Sequence, residues 1–134
     1  MRLKNLIFIS LFSILLFPSI SFAEWNYIGK TKRGDSYYVD FNSIRINNEG
    51  YVFYWGLANY LKPSRLGHLS SKIIFMLDCN LLRDKIMSDY YYKTPNAKGN
   101  PDVSSTEPDK NWDYSAPGTI QEKQSKLVCQ FIGK

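Results

Sequence analysis

At 134 residues, of which 44% are hydrophobic and 16% aromatic, the chain has the length and composition of one folded domain with one core. Its formal net charge is +5, yet no run of Lys or Arg is longer than Lys32-Arg33. Nucleic-acid-binding domains gather their basic residues into patches or stripes, so the scattered charge argues against a nucleic-acid partner.

The first 23 residues have the pattern of a secretory signal peptide. Arg2 and Lys4 form a basic start, an apolar run follows at positions 6–17, and Ser21 and Ala23 are small residues at the positions that matter for cleavage. We expect export and removal of this segment after Ala23.

An uncleaved membrane anchor is the alternative, because residues 6–23 approach the length of a spanning helix. With cleavage, residues 24–134 form a single domain that has no membrane span. No cysteine follows the apolar run, so we expect no lipid anchor. The periplasm is then the expected location, with the cell surface or secretion as alternatives.

The chain has two cysteines, Cys79 and Cys129, which allow one intramolecular bridge. They are not in C-x-x-C spacing, and an exported protein meets an oxidising compartment. A structural disulfide is therefore favoured over a metal site or a redox couple.

Short runs rich in aromatic and β-branched residues predict the first strands. Residues 25–29 and 36–40 flank a turn around Gly34, which predicts a hairpin. Residues 40–44 are rich in side chains that bond the local backbone, and they predict a turn or a single helical turn.

The run at residues 51–60 predicts a further strand, whose side chains alternate between two faces. We expect the core face to carry Tyr51, Phe53, Trp55 and Leu57. The opposite face, which we expect to be only partly covered, carries Val52, Tyr54, Gly56 and Ala58.

The next strand is predicted at residues 70–79, where alternation places Cys79 on the core face with Ile73, Phe75 and Leu77. Residues 85–92 are ambiguous. Three consecutive tyrosines favour a strand, whereas inclusion of Leu81 and Leu82 would make an amphipathic helix.

Residues 93–117 contain four prolines and predict a long loop. We expect Trp112 and Tyr114 to fix the far end of this loop to the body of the domain.

The C-terminal segment begins with a capping-box pattern at Thr119 and Glu122, which predicts a helix. On a helical projection Ile120, Leu127 and Phe131 share the apolar face, which Val128 and Ile132 widen, and Cys129 lies at its edge. A strand at residues 127–132 is the alternative.

An ordered set of residues across nearly the whole exported part resembles the surface-adhesin protein E family of Gram-negative bacteria. The set comprises Trp25, Tyr37-Tyr38-Val39-Asp40, Ser43-Ile44, Trp55, Tyr60, Pro63, Ser70 to Lys72, Asp78-Cys79, Trp112, Pro117-Gly118-Thr119 and Val128-Cys129.

The resemblance implies an α+β fold: an antiparallel sheet of about six strands, with a C-terminal helix packed on the concave face and tied by a disulfide between Cys79 and Cys129. It also implies a non-catalytic module that binds proteins or host matrix, such as vitronectin, laminin and plasminogen. A homodimer and haem binding are further implications.

Catalysis finds little support in the residues. His68 is the single histidine, no nucleophile elbow accompanies it, and a metal site lacks ligands. Asp78, Asp84 and Asp89 have the spacing of strand ends and turns rather than of an acid–base pair. We expect no enzyme.

A binding surface is the favoured function, because exposed Tyr, Trp and Arg are enriched at interfaces. The candidate residues are Arg83, Lys85, Tyr90, Tyr91, Tyr92 and Lys93, together with the loop 93–110. The alternative is a soluble periplasmic protein that binds a small ligand or haem, with His68 or a tyrosine supplying an axial ligand. We otherwise expect no cofactor.

Overall fold

An antiparallel sheet with one helix on one face makes up the described part of the chain, residues 23–134 of a computed structural model. The predicted signal peptide lies, except for Ala23, outside the described residues. The strands are β1 (Asn26–Lys30), β2 (Ser36–Ile46), β3 (Val52–Asn59), β4 (Ser70–Asp78), β5 (Arg83–Tyr92), β6 (Val103–Ser105) and β7 (Asp113–Tyr114). A 3-10 turn at Pro95–Ala97 precedes β6, and helix α1 covers Ile120–Phe131.

The strands lie in chain order from β1 to β6, and β7 pairs with β5. The predicted sheet with a C-terminal helix is confirmed, and so is the strand assignment of residues 85–92 over the helical alternative. Residues 93–117 form a long connection that adds only the short strands β6 and β7 to the edge at β5. No helix among residues 23–134 is long and apolar enough to cross a membrane.

Strand β2 corrects one prediction. Residues 40–44 were expected to form a turn or one helical turn, but they continue β2, with a break in register between Asp40 and Arg45. The local bonds that motivated the expectation do form: Asp40 Oδ1 accepts from the Asn42 N–H, and the Ser43 hydroxyl donates to the Asp40 carbonyl. They produce a bulge within a strand rather than a chain reversal.

The two faces of β3 are largely the reverse of the prediction, although Leu57 is buried as expected. Val52, Tyr54, Gly56 and Ala58 point to the helix and are buried. Phe53 and Trp55, expected in the core, are only half-buried on the other face. The small residues decide this arrangement, because a Cβ at Gly56 would lie 2.8 Å from Phe75 Cε2 in the layer between sheet and helix.

On β4 the prediction holds: Phe75 and Leu77 are buried on the helix side, and Cys79 packs against the same core cluster. The Tyr54 and Phe75 rings stack at 5.3 Å between centroids. Val128 of α1 is fully buried against this layer. The core therefore lies between the centre of the sheet and the helix.

Helix α1 begins as predicted, since Thr119 is the N-cap and its hydroxyl accepts from the Glu122 N–H. The other half of the capping box differs: the Glu122 carboxylate accepts from the N–H of Gly118. The helical assignment of residues 127–131 excludes the strand alternative.

The buried face of α1 was predicted only in part. Val128 is fully buried, and Ile120, Leu127 and Ile132 pack against the core as expected. The other buried residues are Gln124, Ser125 and Cys129, whereas Phe131 is 60% exposed. Gln124 donates to the Tyr54 hydroxyl at 3.0 Å, and Gln121 donates to Asp84 at 2.6 Å. Polar residues thus face the sheet because they satisfy buried groups on β3 and β5.

The disulfide between Cys79 and Cys129 is present, with 5.8 Å between the two Cα atoms. It joins the residue after β4 to the buried face of α1. The predicted structural bridge is therefore confirmed, and Cys129 lies within the helix–sheet contact rather than at its edge.

Candidate binding surface

Within residues 23–134, the side of the sheet opposite α1 is covered by chain only at its two ends. At one end Thr94 and Ala97 hydrogen-bond to the Ser70 hydroxyl, and Asn96 bonds to Asn59. At the other end Trp112 lies against Tyr51. The half-buried side chains between these ends, which we call the open face, are Phe53, Trp55, Lys72, Ile74, Met76, Lys85 and Tyr90.

Two aromatic rings and a lysine form the centre of the open face. The Trp55 and Tyr90 rings lie 5.8 Å apart. Lys72 Nζ is 4.6 Å from the centroid of the Trp55 ring and 6.0 Å from that of the Tyr90 ring. Within residues 23–134 no carboxylate pairs with Lys72 at 4 Å or less. The ammonium group is therefore held by ring faces and is free to meet an incoming anion.

A second aromatic and cationic cluster lies at the Trp112 end. The Arg83 guanidinium is 4.4 Å from the Trp112 ring centroid, and Lys85 Nζ is 4.9 Å from it. Asp78 accepts from Arg83 Nε at 3.0 Å. Burial opposes ionisation of Asp78, but Arg83 and two backbone N–H groups outweigh it and hold its pKa below the usual value. Through its contacts with Tyr51 and Arg83, Trp112 fixes the far end of the long loop, as predicted.

The structure divides the predicted binding residues between different sides of the sheet. Arg83, Lys85 and Tyr90 lie on the open-face side. Tyr91 points to the helix side, where its ring lies 5.5 Å from the His68 ring at a tilt of 34°. Tyr92 is only 4% exposed.

Lys93 follows β5 with its side chain 65% exposed, and its ammonium is 3.8 Å from Asp102. Of the six residues, then, three share one surface with Trp55 and Lys72. Loop 93–110 covers the sheet near Ser70 and contains strand β6. Binding by residues of this loop stays a prediction.

His68 lies in the loop between β3 and β4, and it is buried. It is 3% exposed, and its Nε2 lies 2.9 Å from the Asp102 carboxylate. That hydrogen bond lowers the pKa of Asp102. A haem iron bound through this nitrogen would have to displace Asp102 from its hydrogen bond. Haem ligation by His68 stays a prediction.

The three carboxylates considered for acid–base chemistry have separate structural partners. Asp78 bonds Arg83, Asp84 accepts from Gln121, and Asp89 accepts weakly from the Tyr91 hydroxyl. Burial raises the pKa of Asp84. Across residues 23–134 no three His, Cys, Asp or Glu side chains are grouped to hold a metal ion.

Sequence reasoning missed Trp55, Lys72 and Trp112 as surface residues. Trp55 was assigned to the core because it is large and aromatic. The signal that identifies the faces of β3 is the pair Gly56 and Ala58, since small residues mark the side where another element approaches closely.

Comparison with known proteins agrees with this fold. The family model for surface-adhesin protein E matches residues 25–130. The chain belongs to this family. Membership implies an adhesin-like binding module that is exported or lies at the cell surface.

Two solved structures of Haemophilus influenzae protein E are similar to this adhesin-family chain. Crystal form II has a TM-score of 0.59 at 20% identity, over 81% of this chain and 90% of that one. The selenomethionine form has a TM-score of 0.56 at 19% identity, over 78% and 85%. At such identity the likeness establishes the fold. No curated protein sequence matches this chain.

Proposed function

We propose that this protein is a non-catalytic binding module that uses the open face to bind a protein partner with an acidic surface. The observation that carries the proposal is Lys72, whose ammonium lies against two aromatic rings and has no carboxylate partner among residues 23–134. Trp, Tyr and Arg, which Trp55, Tyr90 and Arg83 supply on this side of the sheet, are the residue types that most often dominate binding energy at interfaces.

The charge of this surface supports the class of partner. Lys72, Lys85 and Arg83 are cationic, and the one carboxylate bonded among them, Asp78, is used by Arg83. A partner that presents carboxylates beside apolar groups would match both the cations and the exposed ring area. Family membership supports host extracellular-matrix proteins as the partners, with vitronectin and laminin the first to test.

The binding test uses the exported protein and immobilised vitronectin and laminin. We expect Lys72→Gln to weaken binding about tenfold, since it keeps the stem over Trp55 but removes the charge. Lys126→Gln is the matched control: it removes the same charge from α1, on the other side of the sheet, where Lys126 pairs with Glu122. Surface plasmon resonance at fixed salt measures both.

Two results would contradict the proposal. Equal weakening by Lys72→Gln and Lys126→Gln would show that only net charge matters. Retention of full affinity by Tyr90→Ser combined with Lys72→Gln would place binding elsewhere on the molecule.

We also infer that the protein is exported to the periplasm and that a fraction is released from the cell, since host matrix lies outside it. The support is the basic and apolar pattern of residues 1–23 and the family to which the chain belongs. Fractionation of cells should recover the protein in the periplasmic extract, with a mass that corresponds to cleavage after Ala23. Recovery only in the periplasmic extract would exclude host matrix as the partner. Recovery only with the outer membrane would disprove the periplasmic location and favour surface display.

A further inference from the structure

A recess of about 370 Å³ lies beside the open face, where β2 leaves its register with β3. Asp40 is opposite Trp55, and Arg45 is opposite Phe53. The extra β2 residues between these pairs form one wall. The side chains that matter for binding are Trp25, Asp40, Asn42, Arg45, Trp55 and Lys72.

The bulge that forms this wall is held by a specific set of hydrogen bonds. The Ser43 hydroxyl accepts from the Trp55 N–H at 2.9 Å and donates to the Asp40 carbonyl at 2.6 Å. It therefore replaces the backbone partner that Trp55 loses at the break in register. Asp40 Oδ1 accepts from the Asn42 N–H at 3.0 Å. The shape of the recess is fixed before any ligand arrives, which lowers the entropic cost of binding.

Two cations border the recess and have no carboxylate at 4 Å or less within residues 23–134. Arg45 donates through Nη1 to the carbonyls of Asn42 and Ile44, at 3.1 and 2.7 Å, which leaves its other N–H groups for a ligand. Lys72 is the lysine that lies over Trp55.

The carboxylates nearby are already engaged. Asp40 is 7% exposed and bonds the backbone, and Glu24 accepts from the Asn42 side chain at 3.0 Å. The recess therefore combines indole rings, polar hydrogen-bonding groups and two cations that form no ion pair with these carboxylates.

We propose that this recess binds a carboxylate-bearing sugar residue of an acidic glycan. Its volume lies within the range of small-molecule sites, about 300–1,000 Å³. The polar wall at Asp40 and Asn42 disfavours an acyl chain and suits ring hydroxyls. An indole offers a flat apolar surface to the C–H face of a pyranose, and Arg45 and Lys72 pair with the carboxylate. The site rests on the proposed function in that it shares Trp55 and Lys72 with the open face.

The test titrates the exported protein, with its disulfide intact, with two oligosaccharides and follows tryptophan fluorescence. Hyaluronan tetrasaccharide alternates glucuronate with N-acetylglucosamine, and N-acetylchitotetraose has the same amino sugar without a carboxylate. We expect hyaluronan to bind about tenfold more tightly, and Arg45→Gln to remove about that factor. Lys62→Ala, which removes one cation from the β3–β4 loop at the other end of β3, should leave both affinities unchanged.

Equal affinity for the two oligosaccharides, or an Arg45→Gln variant that binds hyaluronan as wild type does, would overturn the proposal. Tighter binding of adenosine monophosphate than of hyaluronan would also overturn it, in favour of a nucleotide site. A thermal melt of Arg45→Gln verifies that the bulge is intact, and Asn42→Ala is a second variant that should weaken hyaluronan without loss of a charge.

The two proposals can be disproved independently of each other. Lys85→Ala alters the open face outside the recess, at Trp112, so it should weaken protein binding and leave hyaluronan binding unchanged. A protein that binds hyaluronan but no matrix protein would refute the function proposed for the open face alone. A protein that binds matrix protein through Tyr90 but no acidic sugar would refute the recess alone.

Discussion

We expect Cys79→Ser to lower the free energy of unfolding by about 4 kcal/mol, the entropy term for a cross-link between residues 50 apart in sequence. The bridge joins the chain after β4 to the buried face of α1, so its loss frees the unfolded chain far more than it changes folded contacts. Small domains have total stabilities of about 5–15 kcal/mol. A loss of this size should lower the melting temperature by many degrees.

The measurement has two parts. Thermal unfolding gives the change in stability, and the rate of Cys129 alkylation gives its access to solvent. In the variant Cys129 should react slowly, because this residue is 6% exposed and is reached when α1 detaches. Wild-type protein in reductant is the control and should melt close to Cys79→Ser. An unchanged melting temperature would show that the bridge contributes nothing to stability.

The positions of the first five strands and the disulfide can be predicted from the sequence, because each has a strong local signal. Aromatic and β-branched runs separated by turn residues predict β1 to β5. The cysteine pair in an exported chain predicts the bridge. The strand assignment of residues 85–92 follows from three consecutive tyrosines, which suit a pleated surface.

Which face of each element is buried depends on contacts that no single segment contains. Trp55 is large and aromatic, yet it lies on the open face because Gly56 and Ala58 leave room for α1 on the other side. Likewise Gln124 is buried because Tyr54 supplies its partner at 3.0 Å. A helical projection ranks apolar residues and therefore favoured Phe131, which is exposed.

The candidate surface was less predictable than the fold for the same reason. Three consecutive tyrosines in a strand must alternate in direction, so Tyr90, Tyr91 and Tyr92 never could share one face. Lys72 and Trp55 are 17 positions apart in the sequence, and only the pairing of β3 with β4 brings them together. The recess depends on the break in register at residues 40–45 of β2. The sequence predicted a turn at residues 40–44 instead.

Gly56 is the residue on which the helix–sheet layer depends, and we expect Gly56→Val to cost about 3 kcal/mol. The new Cβ would lie 2.8 Å from Phe75 Cε2 and 3.6 Å from Gln124 Nε2. Phe75 has little room to move, since its ring stacks on Tyr54. Displacement of Gln124 would also break its bond to the buried Tyr54 hydroxyl, and an unsatisfied buried polar group adds to the cost.

A double-mutant cycle with Phe75→Leu tests this cause. Leucine removes the ring atoms that the valine would meet, so the double variant should be more stable than Gly56→Val alone, even though Phe75→Leu by itself destabilises the core. Denaturant unfolding of the four proteins gives the coupling free energy. If the two substitutions are additive, contact with the Phe75 ring is not what requires glycine at this position. A favourable coupling of about 1 kcal/mol or more would instead show that glycine is required at position 56 because the Phe75 ring, in the layer beneath α1, leaves no room for a larger residue.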